Sequence, residues 1–440
     1  MYIAVDQAKN TPPTTLALLI LTIDLSTITY TPYYWEIYVL VTIHNCWQTL
    51  QEPKNHSIMK RLLFALIAIS ILSGCKRNRQ ESKVQVDAIP LSTYYKKSEL
   101  PTAIMGYSLK EGEMEWFAYG PSIWGGKDTV SENNIFRIYS MTKAIASVAV
   151  LQLVEQELIN LDDPLDELMP EMTAIPILSE KGDLIQARNL ITLRNLLTHT
   201  SGFGYESMDP RLQSFDKSEW EYEDMPRLFE SGKHWQYGTS LDWVGKVIEK
   251  ISGEDLETYL RKNITGPLKM NSTWFNVPEN LQENIVSWGT RDSIGFQENP
   301  RLPAEKVTEY KAGGGLFGSP KDYLTFLVCM LNDGKYEGGQ ILKPETIKSL
   351  SINHLPNNLT INPQGDKHGL AWAIEDSSDE IIRSKGTGYW GGLANSFYSI
   401  DNKKDVAIVY FTNFFPFGDE ETSNFYKLFE QEVYKKINKK

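Results

Sequence analysis

Hydrophobic and polar positions change rhythm three times along the chain. Two alternating runs, at 102–108 and 113–119, stand either side of Lys110-Glu111-Gly112 and predict a β-hairpin. An extended piece at 135–138 then leads into Ser140. From Ala144 to Leu151 nearly every position is apolar, and no Gly or Pro intervenes until well past Glu157. That predicts a helix beginning near Ser140, buried all round rather than amphipathic. Helical spacing returns at 193–198, capped by Thr192, and at 240–251, where Leu241, Val244, Val247, Ile248 and Ile251 share a face. Ser319 and Pro320 open a further helix over 321–331. The stretch 162–350 as a whole reads as mainly helical with polar loops. In the last ninety residues period-2 patterns reappear at 369–374, 394–401 and 406–412, before a closing helix at 420–435. Strands at both ends with helices between predict an α/β fold: one sheet built from both termini, with a helical region inserted.

Composition alters this picture mainly at the amino end. The chain has 440 residues, 41% of them hydrophobic and 23% charged, so it can bury a large core. With 44 basic and 56 acidic side chains the net charge is −12, which argues against a nucleic-acid face. Residues 1–58 do not read as folded protein. They carry six charged side chains, and their apolar runs at 16–23 and 33–43 are too short to span a bilayer. At Met59 the pattern of a second amino terminus begins: Lys60-Arg61, an apolar run at 62–72, then Ser73-Gly74-Cys75. A basic start, an apolar centre and small residues at the cut make a secretory signal. The ending Leu72-Ser73-Gly74-Cys75 resembles the lipobox of bacterial lipoproteins, which makes Cys75 the expected lipidation site and the cell envelope, with a lipid anchor in the membrane, the expected location.

On this reading translation starts at Met59, 1–58 is a leader produced by a misplaced start codon, 59–75 is the signal peptide, 76–90 a polar tether and 91–440 the working domain. A two-segment membrane anchor is the alternative, and intact mass of the native protein separates them, because a product retaining Met1 excludes a start at Met59. Apart from Cys46 and Cys75 the chain has one cysteine, Cys329, in an apolar helical pattern, so no disulfide is expected and Cys329 reads as a small buried hydrophobe. The six histidines are scattered and form no metal-ligand cluster, so neither a metal nor a cofactor is expected.

Several familiar motifs fail on context. Gly386-x-Gly388-x-x-Gly391 is followed by a strand pattern rather than a helix, so a dinucleotide loop is excluded. The glycines from Gly313 to Gly318 lack the Gly-Lys step of a phosphate loop. No G-x-S-x-G elbow and no H-E-x-x-H occur. What remains is Ser140-Met141-Thr142-Lys143. On a helix residues three apart share a face, which puts the serine beside the lysine. A serine hydroxyl is a poor nucleophile until a base takes its proton, and a lysine serves as that base when burial disfavours its charged form. Ser-x-x-Lys alone decides little, since it occurs four times, at Ser57, Ser73, Ser140 and Ser214. A helix cap with a snorkelling lysine behind it explains the tetrad equally well.

The tetrad gains weight from an ordered set of motifs downstream of it. Leu158-Ile159-Asn160-Leu161-Asp162-Asp163-Pro164 comes first, then Ile191 to Gly202 ending His199-Thr200-Ser201-Gly202. Trp235-Gln236-Tyr237-Gly238-Thr239-Ser240-Leu241-Asp242 is next, and Tyr389-Trp390-Gly391-Gly392-Leu393 is last. In this set the chain resembles the serine beta-lactamase-related superfamily of class C type, and most of all its family VIII carboxylesterases and their acyltransferase relatives, from about Leu100 to Tyr434. The resemblance implies a beta-lactamase/transpeptidase-like sandwich, mainly antiparallel. It implies Ser140 as the acylated nucleophile, Lys143 as its partner and Tyr237 as sharing the proton with the lysine. It implies the backbone N–H groups of Ser140 and Leu393 as the oxyanion hole, and Trp390, Gly391 and Gly392 as the strand edge that binds substrate. His199 and the turn at 161–164 read instead as pocket-shaping and structural.

Two departures from beta-lactamases bear on substrate. Tyr237-Gly238-Thr239 lacks the asparagine of Tyr-x-Asn, and Trp390 stands where a cation would meet a substrate carboxylate. Lys385-Gly386-Thr387 offers an alternative alignment for that cation. The expectation is a serine hydrolase, carboxylesterase-like, acting on small esters with short acyl chains. A beta-lactamase or D-alanyl-D-alanine carboxypeptidase, and a non-catalytic envelope lipoprotein that only binds a ligand, remain the alternatives.

Overall fold

Strands from the two ends of the chain meet in one sheet, as the pattern predicts. The computed structural model describes residues 89–300, 306–356, 359–376 and 382–439. The leader, Cys75 and nearly all of the tether lie outside the described residues. In chain order the main elements are α1 (Leu91–Ser98), β1 (Ala103–Leu109), β2 (Met114–Tyr119), α2 (Thr142–Glu155), α3 (Leu193–Leu197), α4 (Ser240–Ser252), α5 (Pro320–Leu331), β3 (Lys367–His368), β4 (Ala373–Ile374), β5 (Gly388–Gly392), β6 (Ser396–Asp401), β7 (Val406–Phe411) and α6 (Glu420–Ile437). The sheet runs β3-β4-β5-β6-β7-β1-β2, every pair antiparallel. Its closure fixes the register: Ile104 of β1 faces Phe411 of β7, and Leu109 faces Val406.

Helices cover both faces of this sheet, which explains why β7 reads Val-Ala-Ile-Val-Tyr-Phe with no polar position. Phe411 packs on Tyr323 of α5, whereas Tyr410 packs on Phe425 and Tyr426 of α6. All six β7 residues are buried. α1 joins the α6 layer through Tyr94 stacked on Phe425.

α2 is the centre of the other layer, with Ala144, Ile145, Ala146, Val148, Ala149 and Val150 all fully buried. It packs along α4. The helix itself starts at Thr142, not at Ser140. Residues Tyr139–Met141 form a 3-10 turn, and no side chain caps it. The reading of Ser140 as a helix cap is therefore replaced by a 3-10 turn that carries Ser140 just ahead of the helix.

The middle of the chain is less helical than its sequence suggests. Short hairpins pair Ile177–Leu178 with Leu184–Ile185, Trp288–Arg291 with Phe296–Asn299, and Lys335–Tyr336 with Gly339–Gln340. Strands of two to four residues are too brief to display an alternation. The expected strand at 369–374 is likewise only Ala373–Ile374, because the chain turns at Gly369, where a Cβ would run into the Leu350 carbonyl oxygen. Thr192 caps α3 through a reciprocal pair with Asn195, and Ser319 caps α5 through the Asp322 N–H, as predicted. Cys329 is buried and free, its thiol pushed up to about 12 by burial.

Candidate active site

The turn that carries Ser140 is held from outside the helix it precedes. Ile138 N–H donates to the Leu316 carbonyl, Leu316 N–H donates to Thr142 Oγ1, and the Tyr323 hydroxyl donates to the Met141 carbonyl. Tyr139 sits at φ +45°, a left-handed conformation that costs a non-glycine residue roughly 1–3 kcal/mol. Its ring lies edge-on to Phe415 and under the Arg137 guanidinium. These contacts keep the strained residue in place and present Ser140 to the cavity beside it.

Lys143 follows on the first turn of α2 and is buried. Its Nζ donates to Ser140 Oγ at 3.2 Å, to the Tyr205 hydroxyl at 3.0 Å and to the Gly313 carbonyl. Three neutral oxygens thus surround the ammonium, and no carboxylate lies within salt-bridge distance among the described residues. Nζ also lies 4.8 Å from the centroid of the Tyr237 ring. Tyr237 therefore meets the lysine, as expected, but through its ring face. The hydroxyl that Lys143 donates to belongs to Tyr205, which the sequence reading did not single out. Burial first, and then Tyr237 and Asp242, hold Tyr205 well above the ordinary phenol range, so it stays neutral.

Behind Tyr237 stands a wall of rings. Trp390 Nε1 donates to the Tyr237 hydroxyl at 3.4 Å, and the two rings meet edge to face at 5.2 Å. His199 packs on Tyr237 at 4.9 Å and on His368 at 5.5 Å. Burial pushes both imidazoles to lower pKa, His368 to about 4 and His199 well below its usual value. Both are neutral near pH 7. His199 thus backs Tyr237 and is not among the residues that line the cavity.

Strand β5 runs past the nucleophile turn. A Cβ on Gly392 would lie 2.5 Å from the Ile138 carbonyl oxygen, so only glycine lets the strand come this close. The chain then leaves the strand, and Leu393 lines the same cavity as Ser140. Ser140 and Leu393 thus border one cavity. Trp390 supports Tyr237, and Gly391 lies against Phe397. Lys385 is ion-paired with Asp376 on the surface, which removes it as the missing cation of the third motif.

The cavity measures about 610 Å3 and is walled by Tyr139, Tyr205, Tyr222, Tyr237, Phe275 and Phe317. Arg137 also lines it, its Nε buried with no hydrogen-bond partner. Among the described residues no cluster of His, Cys, Asp or Glu could hold a metal ion.

A family model described as Beta-lactamase matches residues 108–432. The chain belongs to the beta-lactamase family. Within that family it is 29% identical over 341 residues to monacolin J acid methylbutanoyltransferase of Aspergillus terreus, covering 68% of this chain and 81% of the relative. It is 30% identical over 258 residues to lovastatin esterase of Penicillium rubens, covering 52% of this chain and 62% of that enzyme. Among solved structures, a mutant of simvastatin synthase from Aspergillus terreus superposes with a TM-score of 0.73 at 26% identity, over 80% of this chain and 95% of that one. The fold is thus beta-lactamase/transpeptidase-like, and the relatives are acyltransferases and esterases of the same type.

Two features of this family member escaped the sequence. Tyr205 lies 62 residues beyond Lys143 in a loop with no periodicity, one of 22 tyrosines. Gly313 sits in a glycine run that excluded a phosphate loop but gave no reason to look for a carbonyl. The signal available for Tyr205 was proximity: it lies three residues after His199-Thr200-Ser201-Gly202, already in the ordered set.

Proposed function

We propose that the protein is a serine hydrolase that takes an acyl group from a small ester onto Ser140 and passes it to water. The observation that carries this is Lys143 Nζ, buried and without a carboxylate partner, 3.2 Å from Ser140 Oγ at the edge of an aromatic cavity. Ser140 Oγ attacks the ester carbonyl, and its proton passes to the Lys143 and Tyr237 pair in the form that has first given up one proton, as neutral amine or phenolate. The carbonyl oxygen gathers negative charge near the backbone of Ser140 and Leu393. The departing alcohol takes the proton back, and water repeats the cycle on the acyl-enzyme.

A second reading, acyl transfer to an alcohol that bears a carboxylate, is favoured by Arg137. Its guanidinium makes no salt bridge among the described residues, and a relative's name specifies an acid as acyl acceptor. The expectation of a wholly neutral substrate rested on Trp390, and Arg137 weakens it.

The test is hydrolysis of p-nitrophenyl acetate and butyrate by the full chain beside a Ser140→Ala variant. Activity should fall by at least about a thousandfold in the variant. Equal rates in both proteins, or none in either, would return the chain to a ligand-binding role.

A further inference from the structure

We propose that Asp242 is a positioning residue for Lys143, holding Gly313 in place and setting a negative charge behind the ammonium. This rests on the acyl-enzyme reading above and names a residue in it. Asp242 lies in the first turn of α4, five residues after Tyr237, and lines the cavity. Its Oδ1 accepts the Gly313 N–H at 2.7 Å, and Gly313 is the residue whose own carbonyl accepts from Lys143 Nζ. A Cβ at position 313 would lie 2.6 Å from Asp242 Oδ2, so the glycine and the carboxylate require each other.

Partner geometry separates this role from that of an ordinary acid at a helix start. Such an acid serves the helix dipole while remaining in water. Asp242 is only 4% exposed, so it has given up its hydration. The groups facing it are Lys143 from α2, Gly313 and Lys311 from the loop before α5, Glu223 from the loop before α4, and Tyr205, Tyr222 and Tyr237. Lys311 is already paired with Glu223 and Glu309. That leaves Asp242 and Lys143 as the facing carboxylate and ammonium that each make no salt bridge among the described residues. They are joined through residue 313 instead. Burial raises the pKa of Asp242, while the Lys143 charge and the Gly313 N–H favour its ionised form.

The experiment is the pH profile of kcat/KM for p-nitrophenyl butyrate, with full-length wild type, Ser140→Ala and Asp242→Asn. The asparagine oxygen can still accept from Gly313, but the charge is gone. Losing a negative charge eases proton loss from the Lys143 and Tyr237 pair. The acid limb should therefore move to lower pH by about one unit, and the plateau should fall about tenfold. A role limited to packing lowers the melting temperature and leaves the limb where it was, and that result overturns the proposal. A limb that moves to higher pH overturns it too. Equal rates in wild type and Ser140→Ala remove the acyl-enzyme reading and this proposal together. A Ser140-dependent rate with an unmoved limb removes only the role of Asp242. Should Asp242→Asn fail to fold, Asp242→Ser, a smaller neutral acceptor, is read in the same way.

Discussion

Two cations withdrawn from solvent, Lys143 almost wholly and Arg383 for the most part, are solvated by the protein in opposite ways. Arg383 donates through Nε and Nη2 to both oxygens of Glu430, at 2.9 and 3.1 Å, with Glu375 3.8 Å away and the Tyr426 hydroxyl at 3.3 Å. Burial opposes its charge, yet Glu430, Tyr426 and Glu375 outweigh burial and hold its pKa well above the ordinary value. Ser399 occupies a further lone pair of Glu430. Every charge there is answered, so the cluster ties α6 to β6 and has nothing left for chemistry. Lys143 makes its hydrogen bonds only to neutral oxygens, one of them Ser140 Oγ, and makes no salt bridge among the described residues. The difference teaches where to look for reactivity: a buried cation without a carboxylate partner is costly to hold and is kept where its proton is used.

Removing Lys143 breaks the comparison most sharply. Lys143→Met should lower kcat/KM by about a thousandfold or more, because no base remains beside Ser140. Its melting temperature should stay level or rise, since a buried ammonium that makes no salt bridge has been exchanged for an apolar chain of similar length. A melting temperature that falls in step with activity would place Lys143 among the structural residues.

The reverse is expected at the other cation. Glu430→Gln leaves the Arg383 charge buried beside a neutral amide and should cost about 3–5 kcal/mol in urea unfolding. Labelling of Ser140 by a fluorophosphonate, measured well below the melting temperature, should keep its wild-type rate. A loss under about 1 kcal/mol would mean that Glu375 and Tyr426 suffice for Arg383.

The neutral rings behind Tyr237 add a pH dependence. The His368 pKa is lowered from 6.5 in the unfolded chain to about 4 in the fold, by burial first. Its stabilising contribution is complete above pH 6.5 and is lost as pH falls from 6.5 towards 4, because there the unfolded chain binds a proton that the fold refuses. The loss amounts to about 3 kcal/mol over that window, and His199 adds to it in the same direction. Urea midpoints between about pH 7 and 4.5 measure this, and His368→Gln should flatten the slope. A wild-type slope already flat would show that the imidazoles are hydrated in solution.

How much was legible in the sequence depends on how each feature is encoded. α2 announced itself because burial on all sides demands a run from Ala144 to Leu151 in which only Ser147 is polar. β7 did so because helices on both faces leave it no polar position. Ser140, Lys143, Tyr237 and Trp390 were found as an ordered set, and the structure brings them to one place. Backbone contributions were invisible. The positive φ of Tyr139, the Gly313 carbonyl and the turn that starts the helix at Thr142 instead of Ser140 leave no mark on residue type. The exception is Gly392, where close approach to Ile138 does dictate the residue.

Tyr205 gives the smallest effect and the finest test of the same contrast. It supplies one of the three oxygens on Lys143 Nζ, and its own hydroxyl is bonded onward to Tyr222 at the cavity wall. Replacing it by Phe removes that oxygen and keeps the ring that packs edge-on to Tyr237 at 5.1 Å. The ammonium then retains Ser140 Oγ and the Gly313 carbonyl, so the site should survive with its lysine less well held. We expect Tyr205→Phe to lower kcat/KM about tenfold, roughly 1.4 kcal/mol, mostly in kcat. If the ring alone mattered, the variant would match wild type within a factor of about two. If the hydroxyl bound substrate instead of lysine, the loss would fall on KM. A loss of about tenfold in kcat with KM unchanged would mean that the neutral oxygens around Lys143 are part of how the site works, whereas around Arg383 the carboxylates do most of that holding.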